Sequence, residues 1–299
     1  MRAVPRYVAA DDISYDYYFE ASHLAKLSAA EIQNAMFRAA HQRYLKEIED
    51  SFLELMFGAN VEKCLRGFRV LDFGCYFGGT AIAWEQKYGT KSMAGFDVSQ
   101  IYADGANAYA GHVKSSAVFK AGFGEAAPYP DNSFDTIVAL DVFEHVYDPA
   151  ACFRECWRML VPGGHLILVF PPFHGPFAHH LKVSFFPALH WLFSGRTINE
   201  AQNAIHKSRG PEFDHFHDTL PEQYKIPLLN GLTKRAAMRL IRSQGWQVIE
   251  DKTWGVPKLG HRASKWPFRI VRLFTTALAH VPILDEVFQD RVAVILRKP

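Results

Sequence analysis

The stretch Val70–Trp84, VLDFGCYFGGTAIAW, decides the fold. An apolar run ends at Asp72, Gly74, Gly78 and Gly79 permit a tight turn, and Thr80 opens a helical pattern, so the segment reads as strand, glycine loop, helix. Such a loop aims backbone N–H groups and a helix N-terminus at an anionic group, a pyrophosphate or a carboxylate, and its glycines let a ligand approach the backbone. The next apolar run, SMAGFDV, ends at Asp97, 97 − 74 = 23 residues after the first loop glycine. An acid at that distance is placed to hold ribose hydroxyls. The loop lacks the GxGxxG spacing of a dinucleotide site, and Asp72 beside it suits a ligand with an amino group better than a phosphate. The plainer alternative is that the glycines only make a turn and Asp97 caps the following helix.

Strand-like and helical patterns continue to alternate: FRVLDFG, a helix from Thr80, SMAGFDV, a helix from Ser99, AVFKAG, FDTIVALDV, a helix from Pro149, HLILVFPP. That alternation specifies βαβ units on a parallel sheet. After Pro172 it stops; residues 173–230 are rich in His, Pro and aromatics. A helix from Thr233 to Gln244, ended by Gly245, leads to the strand WQVIEDKTW, and DRVAVILRKP closes the chain. Upstream, Ile32, Met36, Ala40, Tyr44, Ile48, Phe52 and Leu55 recur at helical spacing, predicting one long amphipathic helix ended by Gly58.

These segments resemble the class I S-adenosylmethionine-dependent methyltransferase family, strongly over about residues 68 to 172. The resemblance implies an α/β, Rossmann-like, seven-stranded and mainly parallel sheet with an antiparallel last strand and helices on both faces. It also implies S-adenosylmethionine as cofactor. Asp72, Gly74, Cys75 and Gly78 stand at the family's first motif, whose loop holds the methionine moiety. Asp97 stands at the residue that takes the ribose hydroxyls, and Val98 would lie against the adenine. In GFGEAAPYPDNSFDTIVALDVFEHVYDP, Gly122, Phe123 and Gly124 would lie near the adenine, and Asp141 and Val142 would face the methionine and acceptor. Two positions depart from the pattern. Tyr76 replaces the usual middle glycine, and we expect it to keep φ below zero with its ring turned away from the ligand. Phe123 replaces an acid often found against the adenine amine and is expected to stack on the ring.

Methyl transfer from a sulfonium is an in-line displacement that needs alignment and exclusion of water more than covalent machinery. A hydroxyl acceptor must also lose its proton, which calls for a base. His145, after the fourth strand, and His174, after the fifth, are the candidates, with Asp141 beside them. DVFEHV resembles small-molecule O-methyltransferases such as those of quinone biosynthesis. Alternatively Glu144 and His145 cap or brace the next helix. His174, His179, His180, His190, His206, His215 and His217, with Asp214 and Asp218, match no HExxH or Cys/His spacing. We therefore expect them to line an acceptor pocket and to hold no metal.

With 49% hydrophobic residues, 299 residues suffice for a full core. Lys and Arg (33) nearly balance Asp and Glu (31), which disfavours a large nucleic-acid footprint. Cys64, Cys75, Cys152 and Cys156 form no CxxC pair and read as core thiols of a reducing, cytoplasmic compartment. No signal peptide or membrane span is indicated. The expected organisation is a helical N-terminal lid over 1–60, with Tyr15, Tyr17 and Tyr18 placed to fold over the cofactor. The binding core spans 61–172, an acceptor-pocket insertion 173–230, and completion of the sheet 231–299, with a helical insertion at 255–289 that adds to the cap. Residues 266–284, with Lys265 just before them, mix Trp266, Phe268, Ile270, Val271, Leu273 and Phe274 with Arg269 and Arg272, as in helices that lie on membranes. A buried helix, a homodimer face and peripheral membrane contact are the readings of that stretch. The acceptor is expected to be a small or lipid-linked molecule. A methyltransferase-fold scaffold without chemistry, and an RNA or protein methyltransferase, are the alternatives.

Overall fold

The computed structural model describes residues 28–176, 178, 188–194, 197, 229–255, 266–281 and 284–299. Among the described residues, the helices α1 (Ala29–Asp50), α2 (Phe52–Phe57) and α3 (Asn60–Leu65) precede β1 (Arg69–Phe73). The alternation follows: α4 (Gly79–Tyr88), β2 (Ser92–Asp97), α5 (Gln100–His112), β3 (Val118–Ala121), β4 (Phe134–Leu140), α6 (Pro149–Met159) and β5 (Leu160–Phe170). The short α7 (Leu189–Leu192), α8 (Lys234–Ser243), β6 (Gln247–Gly255), α9 (Trp266–Leu278) and β7 (Gln289–Arg297) complete the described chain.

The strands form one seven-stranded sheet in the order β3-β2-β1-β4-β5-β7-β6. β1 pairs in parallel with β2 and β4, and β4 with β5, whereas β7 runs antiparallel between β5 and β6. This is the Rossmann-like arrangement expected. Strand side chains alternate between the two faces. Val70, Val138, Ile167, Val169, Ala293 and Ile295 join one core with α1, α4 and α5; Leu71, Phe73, Ile137, Leu166, Leu168, Val292 and Val294 join the other with α6 and α8. All four cysteines are free and buried, and Cys152 and Cys156 pack in the second core.

The predicted helix through residue 57 is interrupted. Ser51 takes the left-handed conformation (φ 36°), ending α1 and starting α2. Glu47 holds the break from both sides. The Glu47 carboxylate accepts from the backbone N–H of Phe52 (3.2 Å), an otherwise unpaired donor at the start of α2, and from Trp84 Nε1 (2.9 Å). The break rotates the apolar stripe: Ile48 and Leu55 are exposed, while Leu53, Met56 and Phe57 are buried. α1 then lies directly on the start of α4, where a Cβ on Gly79 would run into the carbonyl oxygen of Ala40. Gly79 therefore serves helix packing.

Candidate functional site

β1 is the first strand laid down, and the order reverses on its two sides: β2 and β3 lie one way, β4 and β5 the other. Open α/β sheets bind ligands beyond the strand ends at such a switch point. Asp72, the glycine loop, Asp97 and Asp141 all stand there. Gly74 (φ 83°) and Gly78 (φ 74°) turn the loop, and Gly74 N–H and Cys75 N–H both donate to Phe96 O (2.9 and 3.0 Å), fastening it to the end of β2. A Cβ on Gly74 would collide with the Val142 side chain, so this glycine lets the loop and the end of β4 close on each other. A Cβ on Gly78 would meet Phe119 (2.7 Å) and Ala106 (2.9 Å).

Tyr76 corrects an expectation. Its φ is +51°, not negative, a conformation that costs a side-chain-bearing residue about 1–2 kcal/mol. The compensation is visible: its N–H donates to Asp97 Oδ2 (2.8 Å), its ring packs edge-on against Phe77 and Tyr102, and the Arg43 guanidinium lies 5.7 Å from the ring centroid. Asp97 Oδ1 accepts from Val98 N–H (2.8 Å). Asp97 thus ties the loop to β2. Ser99, not Asp97, holds the N-cap position of α5, and it makes no side-chain cap bond.

The floor of the loop is acidic. Asp72 is buried, and burial, with Asp97 and Glu47 as like charges, raises its carboxyl to about 8 against the opposing charge of Arg43. Burial likewise lifts Asp97 to about 6 against three backbone donors, Tyr76, Val98 and Ser99. Two carboxyls with raised pKa values beside a glycine loop would both ionise more readily with a cationic ligand between them. Burial keeps the Cys75 thiol protonated.

Gly122 N–H donates to Asp97 O (2.9 Å), bringing the 122–124 loop to the end of β2. Phe123 is half-buried, and a Cβ on Gly124 would meet Phe73 (2.7 Å) and Cys152 (2.9 Å), so Gly124 backs onto the core. Asp141 also takes a left-handed conformation (φ 51°). Its carboxylate accepts from Arg291 Nε (2.9 Å). Because β7 is antiparallel, its first residues arrive at the same sheet end as the C-termini of the parallel strands. Burial opposes the charge of Arg291, but Asp141, Asp290 and Glu144 outweigh it and hold the guanidinium above its ordinary pKa. His145 Nε2 lies 3.6 Å from Glu144 Oε1, and His174 Nδ1 lies 3.1 Å from Glu286 Oε2, with the His174 ring about half exposed. Neither Glu144 nor His145 caps α6; Asp148 does, accepting from Ala151 N–H (3.1 Å).

Sequence reasoning missed Arg291, Arg43, Glu47 and Asn230. Arg291 had a signal, a charged residue opening an otherwise apolar strand. Asn230 donates to Phe143 O (2.8 Å) and Val146 O (2.7 Å), fixing the backbone around His145; nothing in the sequence marks it. His190 Nε2 donates to Phe173 O (2.7 Å). Tyr15, Tyr17, Tyr18, His179, His180, His206 and the DHFHD stretch lie outside the described residues. Among the described residues, no group of three or more His, Cys, Asp or Glu is arranged to hold a metal ion.

Residues 71–168, which span β1 to β5, match the family model described as a methyltransferase domain. Over 105 residues the chain is 35% identical to a demethylmenaquinone methyltransferase of Deinococcus radiodurans, covering 35% of this chain and 44% of that protein. Over 111 residues it is 32% identical to a ubiquinone biosynthesis O-methyltransferase of Alkalilimnicola ehrlichii, covering 36% and 44%. The match thus spans less than half the length of these curated relatives. An S-adenosylmethionine-dependent methyltransferase of Mesorhizobium loti superposes with a TM-score of 0.51 at 16% identity, covering 80% of this chain and 96% of that one, a likeness of fold. The matched domain coincides with the strands and loops that build the site, and over that region the chain is similar to S-adenosylmethionine-dependent methyltransferases.

Proposed function

We propose that the chain transfers the methyl group of S-adenosylmethionine to a small or lipid-linked acceptor, most readily at oxygen. The observation that carries this reading is the acid pair Asp72 and Asp97 flanking a glycine loop at the β1/β4 switch point. When bound, S-adenosylmethionine supplies an electrophilic methyl on a sulfonium, open to in-line attack. Asp72 and the N–H groups of the loop would hold the amino and carboxylate ends of the methionine. Asp97 would take the ribose hydroxyls while keeping its bond from Tyr76 N–H. Val98, Gly122 and Phe123 would flank the adenine, and Val142, which closes on Gly74, would line the methionine side. The names of the two relatives, one of them an O-methyltransferase, favour oxygen and a quinone-like acceptor.

A hydroxyl acceptor gives up its proton as attack proceeds, and His145 and His174 are the bases in reach of the sheet end. Each sits beside a buried glutamate, Glu144 or Glu286, that would steady the imidazolium formed. With an acceptor found by screening labelled S-adenosylmethionine, His145→Ala or His174→Ala, whichever removes the base, is expected to lower kcat by roughly 10²- to 10⁴-fold with S-adenosylhomocysteine affinity unchanged. Full turnover in both variants would remove both histidines from the chemistry.

A further inference from the structure

β6 ends at Gly255 and β7 begins at Gln289, and the two residues are paired in register. The connection between them therefore leaves and rejoins the sheet at the end where the site lies. α9 sits in that connection and has two opposed seams. Thr275 and Ala279, one turn apart, are buried. On the opposite side Ile270, Leu273, Phe274, Ala277 and Val281 follow helical spacing and are all exposed, Leu273 by 73% and Phe274 by 66%. An ordinary surface helix turns polar residues to water; this one turns leucine and phenylalanine outward.

The charge of the connecting segment selects the occupant. From Thr253 to Leu284 the sequence holds five Lys or Arg and no Asp or Glu. α9 itself carries Arg269 and Arg272 and no acid. A second copy docking through the same face would set two basic segments together with no acid to answer either. A nucleic acid would complement the charge but leave the apolar seam without a partner. A lipid surface answers both, since anionic headgroups attract the basic residues while the seam enters the acyl boundary. At 13 residues α9 is about 20 Å long, too short to span a bilayer but long enough to lie on one. Among the described residues, no helix is long and apolar enough to cross a membrane. Trp191, Leu192 and Phe193, on the segment that leaves β5 at the same sheet end, are also exposed.

We propose that α9 docks the protein on an anionic lipid surface, turning the site end of the sheet toward the bilayer, where an apolar, membrane-borne acceptor can enter. Docking rests on the helix alone; the delivery of an acceptor rests on the methyl-transfer reading. The test is co-sedimentation of the full chain with vesicles of phosphatidylcholine alone and of phosphatidylcholine with phosphatidylglycerol. The chain is expected to sediment with the anionic vesicles, to be released by raised salt, and to bind neutral vesicles at least tenfold more weakly. The double substitution Leu273→Glu and Phe274→Glu, on exposed positions, is expected to weaken anionic binding at least tenfold while S-adenosylhomocysteine binding, read by calorimetry, stays unchanged. Arg269→Gln with Arg272→Gln should reduce the preference for anionic over neutral vesicles. Failure of the wild-type chain to sediment at low salt overturns docking, as does undiminished binding by the Leu273/Phe274 variant. Loss of S-adenosylhomocysteine binding in the wild type would instead strike the methyl-transfer reading and leave the vesicle result standing.

Discussion

Replacing Asp72 by Asn is expected to stabilise the ligand-free chain at pH 8 and to weaken its cofactor binding. Asp72 holds its proton up to about pH 8 in the folded chain, whereas an unfolded chain releases it near 4. Between those values the folded state binds the extra proton, so the contribution of Asp72 to stability falls as pH rises from about 4 through about 8. Asn has no proton to lose. At pH 8 the variant should gain on the order of 5 kcal/mol, and near pH 4 almost nothing. The same carboxylate, once ionised, is what an ammonium group would bind. S-adenosylhomocysteine affinity at pH 8 should therefore fall roughly 10- to 100-fold, the size expected for a lost charge-assisted hydrogen bond. Wild-type binding should also release protons, visible as a dependence of the calorimetric heat on the ionisation enthalpy of the buffer. Thermal denaturation at the two pH values and calorimetry at pH 8 check this; a variant that melts lower at pH 8 than the wild type would show that Asp72 is not a strained acid.

Arg291→Met is expected to carry the largest structural penalty. The guanidinium is buried among Asp141, Asp290 and Glu144, and it holds the Asp141 carboxylate through Nε. Deleting it leaves buried carboxylates without their countercharge, which costs about 3–5 kcal/mol and should lower Tm by on the order of 10 °C. Because Asp141 stands at the end of β4, its mispositioning should also weaken cofactor binding. Adding Asp141→Leu to Arg291→Met should recover part of the stability, since a buried ion pair replaced as a unit costs little. A single variant melting within about 1 °C of the wild type would reduce the pair to the worth of a surface contact.

The sheet was legible because its strands are apolar runs bounded by turn residues, and period-2 alternation sends Leu71, Ile137, Leu166 and Val292 to one core and Val70, Val138, Ile167 and Ala293 to the other. The break at Ser51 was not legible. Ile48, Phe52 and Leu55 keep helical spacing across it, and the cause is a long-range event, Glu47 shared between Phe52 and Trp84. Tyr76 shows the same limit. Its identity argued for negative φ, but the bond from its N–H to Asp97 and the packing of its ring hold it in the left-handed region. Within the site, Asp72, Asp97 and the loop glycines could be found from spacing along one βαβ unit. Arg291 could not be joined to Asp141, 150 residues away, because that contact exists only once β7 inserts antiparallel beside β5.

The central claim, a cofactor site built on the glycine loop and its acids, is tested most directly by calorimetric titration of the full chain with S-adenosylhomocysteine, with Asp97→Ala alongside. The account predicts micromolar binding by the wild type and a loss of at least about 100-fold in the variant, as ribose recognition and the tether to Tyr76 N–H disappear together. No binding by the wild type, or equal binding by Asp97→Ala, would contradict it.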